Sequence, residues 1–294
     1  MIDWSVLGES RRSLAPHIGP FAHRGFLETW STHFASDEVM VAEVSGAAWA
    51  FTLRDGLLSI AGNADVTDYH SPLGGDPADL LEVVVGRCSP GTRIAFDSLP
   101  LEAAEAVAKG IERLGIDVTT VATDSTMVLT LAGGDHLDLL DGKQRHEIRR
   151  KSRRFVESLG EPELVEGAEF FDAFVEMHRA AAGDKGHFMT ESMASFFRDL
   201  LSAAGARLDA LVVGDGRAVG AAFGFEDDDA YYLYNSAFEP SFSEASPGIV
   251  LLHRLIGRVN ATGSSRFDFL KGTETYKRRL GAVERPLYTV EGVV

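Results

Sequence analysis

The chain has 294 residues, 45% hydrophobic and 24% charged, the proportions of a soluble globular protein with room for two domains. With 28 basic and 44 acidic residues its formal net charge is −16, so its surface as a whole repels nucleic acid and anionic membranes, and any phosphate site must be a local patch. One cysteine, Cys88, excludes an intramolecular disulfide.

Met1 to Ser13 is polar, carries Arg11 and Arg12, and leads into no apolar stretch, so an ordinary signal peptide is not expected. No apolar run approaches the roughly 18 residues of a membrane span, and the expected location is the cytoplasm. Strands are predicted over 39–44, 47–53 and 57–60, broken by Ser45-Gly46 and Asp55-Gly56; the Asp-Gly pair is a hairpin signal because a two-residue turn needs positive φ. The loop Ser71-Pro72-Leu73-Gly74-Gly75 leads to a predicted helix over 77–88 and a strand over 92–96. Cys88 follows the apolar residues Leu80, Leu81, Val83, Val84 and Val85 and is expected in the core, not as a catalytic thiol.

A helical stripe of Ile148, Ser152, Phe155 and Leu159 lies within 135–159, and basic residues cover the rest. Amphipathic helices are predicted over 169–182 and 190–204. The first order of elements then repeats: strands over 208–213, 219–225 and 230–237, with turns at Gly214-Asp215-Gly216 and 226–229, a loop ending Ser246-Pro247-Gly248, a helix over 249–260, and a strand over 266–270. First strand to helix spans roughly 40 residues in both copies. An antiparallel meander, a loop, a helix and a strand, given twice, imply a duplicated α+β unit. The expected domains are 1–134 and 135–294, with a basic connecting helix over 135–160.

Residues 135–290 resemble the CelD-like and FemAB-like branch of the GNAT acyltransferases. The resemblance rests on Lys143 to Arg154, Met177-His178 through Lys185-Gly186 to Phe188, Tyr231 to Ala237, Ser246-Pro247-Gly248, Phe267 to Gly272, and Glu274 to Gly281. It implies two tandem GNAT-like domains, each a mixed, mainly antiparallel sheet flanked by helices. It also implies transfer of an acyl group, acetyl or longer, from acyl-CoA to an amine acceptor. FemAB-like relatives use aminoacyl-tRNA instead, and a GNAT-fold binding protein without chemistry is the third alternative. The first half matches only as architecture. It is expected to be a scaffold and a wall of the acceptor cleft, because Asp76 and Asp79 at its helix start would repel a phosphate.

The candidate residues follow from these needs. A helix N-terminus offers free N–H groups and partial positive charge to a diphosphate, and Ser246, Pro247, Gly248 and Ile249 stand where one begins; the same residues also suit an ordinary capped helix. The usual GNAT phosphate loop has several glycines and an arginine, and this one departs from it. Seven of the 28 basic residues fall between Lys143 and Arg154. They form either a solvated helix face or a grip for CoA phosphates, a tRNA acceptor stem or an anionic acceptor, with Arg149, Arg150 and Arg153 the favoured contacts. Asp268, His178 and Glu274 are candidates for the base that deprotonates the amine. Tyr234, Asn235 and Ser236 would line the opening where backbone N–H groups receive the acyl carbonyl. Lys277 matches a FemAB-like lysine that stabilises carbonyl charge, and Tyr276 is a candidate proton donor to a leaving thiolate. Histidine and cysteine spacing supports no metal site.

Overall fold

A computed structural model describes residues 2–35, 39–63, 65–214 and 216–294, without the side chains of Asp184 and Lys185; Asp215 of the expected Gly214-Asp215-Gly216 turn lies outside it. The chain divides into two units, residues 1–126 with 284–294, and residues 127–283.

In the first unit, helix α1 (Arg24–Phe34) precedes β1 (Val39–Val44), β2 (Ala47–Arg54) and β3 (Leu57–Ile60). Each strand pairs antiparallel with the next. Both hairpins turn on a pair of positive-φ residues, Ser45-Gly46 (51° and 84°) and Asp55-Gly56 (51° and 70°), so the turn chemistry read from the sequence sets the meander. Helix α2 (Ala78–Val85) leads to β4 (Arg93–Leu99), which lies parallel to β3 with Leu57 opposite Arg93 and Ser59 opposite Ala95. Helix α3 (Leu101–Glu112) and β5 (Val118–Thr130) follow. Trp49, Phe51 and Phe96, all at most 1% exposed, pack ring on ring within this sheet. Cys88 is half-buried just beyond α2 and not in the core; burial raises its thiol pKa, which keeps it a poor nucleophile.

In the second unit, α4 (Gly142–Leu159) starts on Asp141, whose carboxylate accepts the Gln144 N–H. Then come β6 (Glu163–Glu166), α5 (Phe171–Arg179), α6 (Asp184–Phe188), α7 (Glu191–Ala203), β7 (Arg207–Val213), β8 (Arg217–Glu226) and β9 (Ala230–Phe238). Helix α8 (Pro247–Ala261) leads to β10 (Arg266–Lys271) and α9 (Thr275–Arg279). The sheet runs β10-β9-β8-β7-β6, antiparallel from β9 outward, with β10 parallel to β9. The meander, helix and parallel strand of the first unit thus recur, as the sequence repeat predicts. Val250, Leu251, Leu255, Ile256 and Val259 of α8 and Ile148 and Phe155 of α4 share one core with the strands.

The domain limits differ from those expected. The last strand, β11 (Val283–Val293), belongs from Glu284 onward to the first unit, where Val290 to Val293 pair antiparallel with Phe96 to Arg93 of β4. The dividing point lies inside β5, between Thr126 and Met127, not near residue 135. Strand exchange of this kind depends on backbone pairing and leaves no local sequence signal. No described helix is long and apolar enough to cross a membrane.

Candidate functional site

The second unit opens where its parallel strands part. β9 and β10 are in register only at Ala230–Arg266, Tyr231–Phe267 and Tyr232–Asp268, yet they continue to Phe238 and Lys271. On its other edge β9 stays paired to β8, with a shift: Phe223 faces Asn235 and Gly224 faces Leu233, so Tyr234 is the extra residue of a β-bulge. At this shift Gly224 lets β9 approach closely, because a Cβ there would fall 2.5 Å from the Tyr231 hydroxyl oxygen and 2.7 Å from the Tyr232 carbonyl oxygen. An isolated glycine within a strand, as Gly224 is, is the sequence signal for such a bulge. Tyr234, Asn235 and Ser236 therefore stand at the opening, on a stretch of β9 free of β10.

Several side chains fix this stretch. His178 of α5, 1% exposed, meets Asn235 Oδ1 through Nε2 at 3.0 Å. Tyr234 stacks on Phe197 with ring centroids 5.2 Å apart. Asp268 is buried, and its Oδ1 accepts the Leu270 N–H at 2.7 Å. That bond bends the end of β10, where Leu270 adopts φ +58°, a left-handed conformation that leucine rarely takes. Phe267 and Phe269 both join the α8 core, so by strand alternation Asp268 faces the opposite side of the sheet.

Lys277 lies 3% exposed, and its ammonium donates to the carbonyl oxygens of Lys271 at 2.5 Å and Gly272 at 3.0 Å and meets Glu274 Oε2 at 2.9 Å. Its three N–H groups are thus spent on the turn beyond β10, and in this arrangement it clamps the chain at the edge of the opening. Glu274 is occupied by the same contact. Burial, helped by the Glu274 charge, raises the Tyr276 pKa well above the usual phenol value, so the ring stays protonated at neutral pH; it packs on Phe269.

Helix α8 begins at the end of β9 where the strands have parted, since the Phe238 ring lies 3.1 Å from where a Gly248 Cβ would stand. Ser246 takes φ +57° and makes no side-chain cap. Ile249 and Val250 both donate to the Ser246 carbonyl oxygen, Pro247 has no N–H, and the Gly248 N–H has no partner among the described residues. The first unit differs at the matching place, Asp76-Pro77-Ala78: Asp76 Oδ1 accepts the Ala78 N–H at 3.0 Å. One copy closes its helix N-terminus with its own carboxylate. The other leaves the Gly248 N–H without a partner among the described residues.

Helix α4 packs on α8 and carries the basic run. Arg150 spends its guanidinium on Glu147, at 2.9 and 2.8 Å; Arg154 meets Glu244 and Arg145 meets Asp138. Lys143, Arg149 and Arg153 make no ion pair among the described residues. Arg149 also acts on α8, where its charge helps to lower the His253 pKa. Unforeseen from sequence is a charged cluster in which buried Asp209 takes Arg207 at 3.0 and 3.1 Å and the Tyr231 hydroxyl at 3.0 Å. Arg207 and Asp209 look like ordinary residues of an exposed strand, and only tertiary packing shows otherwise.

His253 of α8 and His136 share a hydrogen bond between Nδ1 and Nε2 of 3.0 Å. Burial, then the His136 neighbour, pushes the His253 pKa down to about 4, and burial lowers that of His136 as well. The unfolded chain binds protons on these rings below about pH 6.5 while the folded chain resists, so stability falls as pH drops from 6.5 toward 4. Urea unfolding is expected to show about 2 kcal/mol lost between pH 7.5 and pH 5, and a flatter profile in His253→Gln.

Residues 142–278 match the model of an acetyltransferase (GNAT) domain. No curated protein sequence matches the chain. Among solved structures, a protein of unknown function from Bacteroides thetaiotaomicron superposes with a TM-score of 0.70 at 11% identity, over 99% of this chain and 96% of that one. FemX superposes with a TM-score of 0.66 at 11% identity, over 97% and 94%. L-PGS from Bacillus licheniformis gives a TM-score of 0.58 at 13% identity, over 96% and 93%. Residues 142–278 thus carry the acetyltransferase (GNAT) domain that the family model describes, within a chain that shares its fold with FemX and L-PGS.

Proposed function

We propose that the chain is an N-acyltransferase that moves an acyl group, acetyl in the simplest case, from acyl-CoA to an amine, with the chemistry in the second unit and the first as a non-catalytic scaffold. The observation that carries this reading is the uncapped start of α8, with the Gly248 N–H unpaired, at the end of β9 that has parted from β10. Ser246, Pro247, Gly248 and Ile249 would hold the donor's diphosphate. The thioester carbonyl would enter between the strands, toward backbone N–H groups near Tyr234, Asn235 and Ser236. The amine nitrogen attacks the carbonyl carbon, the C–S bond breaks, and the amine's proton passes to a base while the thiolate takes one up. Asp268 and His178 are the candidate bases, Tyr276 the candidate donor to the thiolate, and Lys277 holds the chain that borders the site. The charge at that carbonyl oxygen is what a preorganised set of N–H groups stabilises.

A second reading, aminoacyl transfer from charged tRNA, draws on the fold shared with FemX and on Lys143, Arg149 and Arg153, whose charges are left for an anionic partner. The two separate by donor. Release of free thiol from acetyl-CoA in the presence of an amine panel supports the first. Transfer only from charged tRNA, with affinity falling steeply as salt rises, supports the second.

A further inference from the structure

The first unit holds a cavity of about 930 Å³, within the range of small-molecule sites. Its wall includes Trp30 and Phe34 of α1 and the alternate residues Arg93, Ala95 and Asp97 of β4, which share one face of the strand. Three groups in this wall bear on what it could bind. Trp30 is 5% exposed, and its indole N–H has no acceptor among the described residues, a costly state for a buried donor. Arg93 is exposed and has no ion pair among the described residues. Asp97 is held from behind by His70, 1% exposed, whose Nδ1 lies 3.0 Å from the Asp97 carbonyl oxygen and 3.2 Å from its carboxylate Oδ1. Two oxygens around Nδ1 make it the protonated nitrogen. Ser98 Oγ donates to the second carboxylate oxygen at 3.3 Å, and the Asp97 side chain remains 37% exposed.

An anchored carboxylate, an unpaired guanidinium and an orphaned indole donor in one cavity are complementary to a ligand with both charges. We propose that the first unit binds a small zwitterion, its ammonium on Asp97 and its anionic end on Arg93, with the Trp30 N–H as a further donor within the cavity. Four steps along the strand place the Arg93 and Asp97 Cα atoms about 13 Å apart. Such a span suits charges several bonds apart, as in an ω-amino acid or an extended dipeptide, more than the adjacent charges of an α-amino acid. The site is independent of acyl transfer in the second unit, and failure of that reading leaves it standing.

The probe is 6-aminohexanoate, with hexanoate and hexylamine as its singly charged halves, titrated while the Trp30 indole ¹H–¹⁵N signal, identified by Trp30→Phe, is followed. The zwitterion is expected to shift that signal saturably and to bind about tenfold more tightly than either half. Asp97→Asn, which keeps an oxygen for His70, should weaken the zwitterion and hexylamine about tenfold and spare hexanoate; Arg93→Gln should weaken the zwitterion and hexanoate and spare hexylamine. The proposal is overturned if the zwitterion leaves the Trp30 signal unmoved, if all three probes bind alike, or if either variant affects all three equally.

Discussion

Ser246→Asp is expected to stabilise the second unit while stripping it of affinity for CoA by about a hundredfold. The two copies align as Asp76-Pro77-Ala78 and Ser246-Pro247-Gly248, and the first shows what the substitution would create: a carboxylate taking the N–H two residues on. Asp tolerates the left-handed conformation of position 246, which Asp76 does not share, so the new carboxylate caps α8 as position 246 turns toward the extended region usual for helix caps. A carboxylate cap on α8 should add about 0.5–1 kcal/mol. The same carboxylate takes up the Gly248 N–H, unpaired among the described residues, and sets negative charge against the diphosphate. A hydrogen bond to a charged group contributes roughly 1.5–3 kcal/mol, and repulsion adds to its loss, which brings the total near the 2.7 kcal/mol of a hundredfold change. Calorimetric titration with CoA, beside thermal unfolding, reads both effects. Ser246→Ala should bind as the parent does, because the Ser246 side chain caps nothing.

Lys277→Ala is expected to cost about 3 kcal/mol of stability, and to lower turnover far more than CoA affinity. Removing the ammonium leaves the Lys271 and Gly272 carbonyl oxygens without their donor, at roughly 1–3 kcal/mol for each group that stays buried. For a domain of this size that corresponds to a melting point about 6–12 °C lower. The turn beyond β10 would loosen beside the opening, while the start of α8 keeps its N–H groups, so the loss falls on the chemical step. Lys277→Arg should recover part of the stability. A Lys277→Ala protein that melts like the parent but turns over slowly would instead assign the ammonium to the acyl carbonyl.

Much of this was legible in the sequence because it is local. Ser45-Gly46 and Asp55-Gly56 fix their hairpins through positive φ, and the apolar period of 249–260 marks the face of α8 that enters the core. Ser246-Pro247-Gly248 marks the start of α8 for the same reason: proline and a residue without a side chain have few other uses there. What stayed hidden depends on partners far along the chain. Nothing in the residues 284–294 tells that they pair with β4. Leu270 is not a residue that announces a left-handed turn, and Asp268 imposes it through one hydrogen bond. The basic run reads as seven equal cations, but Glu147, Glu244 and Asp138 neutralise several of them and leave Lys143, Arg149 and Arg153. The motif around Lys277 marks the residue, whereas its clamp on two carbonyl groups depends on a turn that no pattern specifies.

The most direct measurement is the backbone amide signal of Gly248 during a titration with CoA, with inorganic pyrophosphate as the minimal probe. That signal should move saturably with both, at the affinity found by calorimetry, and should stay still in Ser246→Asp. Tight CoA binding with the Gly248 amide undisturbed would place the diphosphate elsewhere and remove the basis of the site at α8.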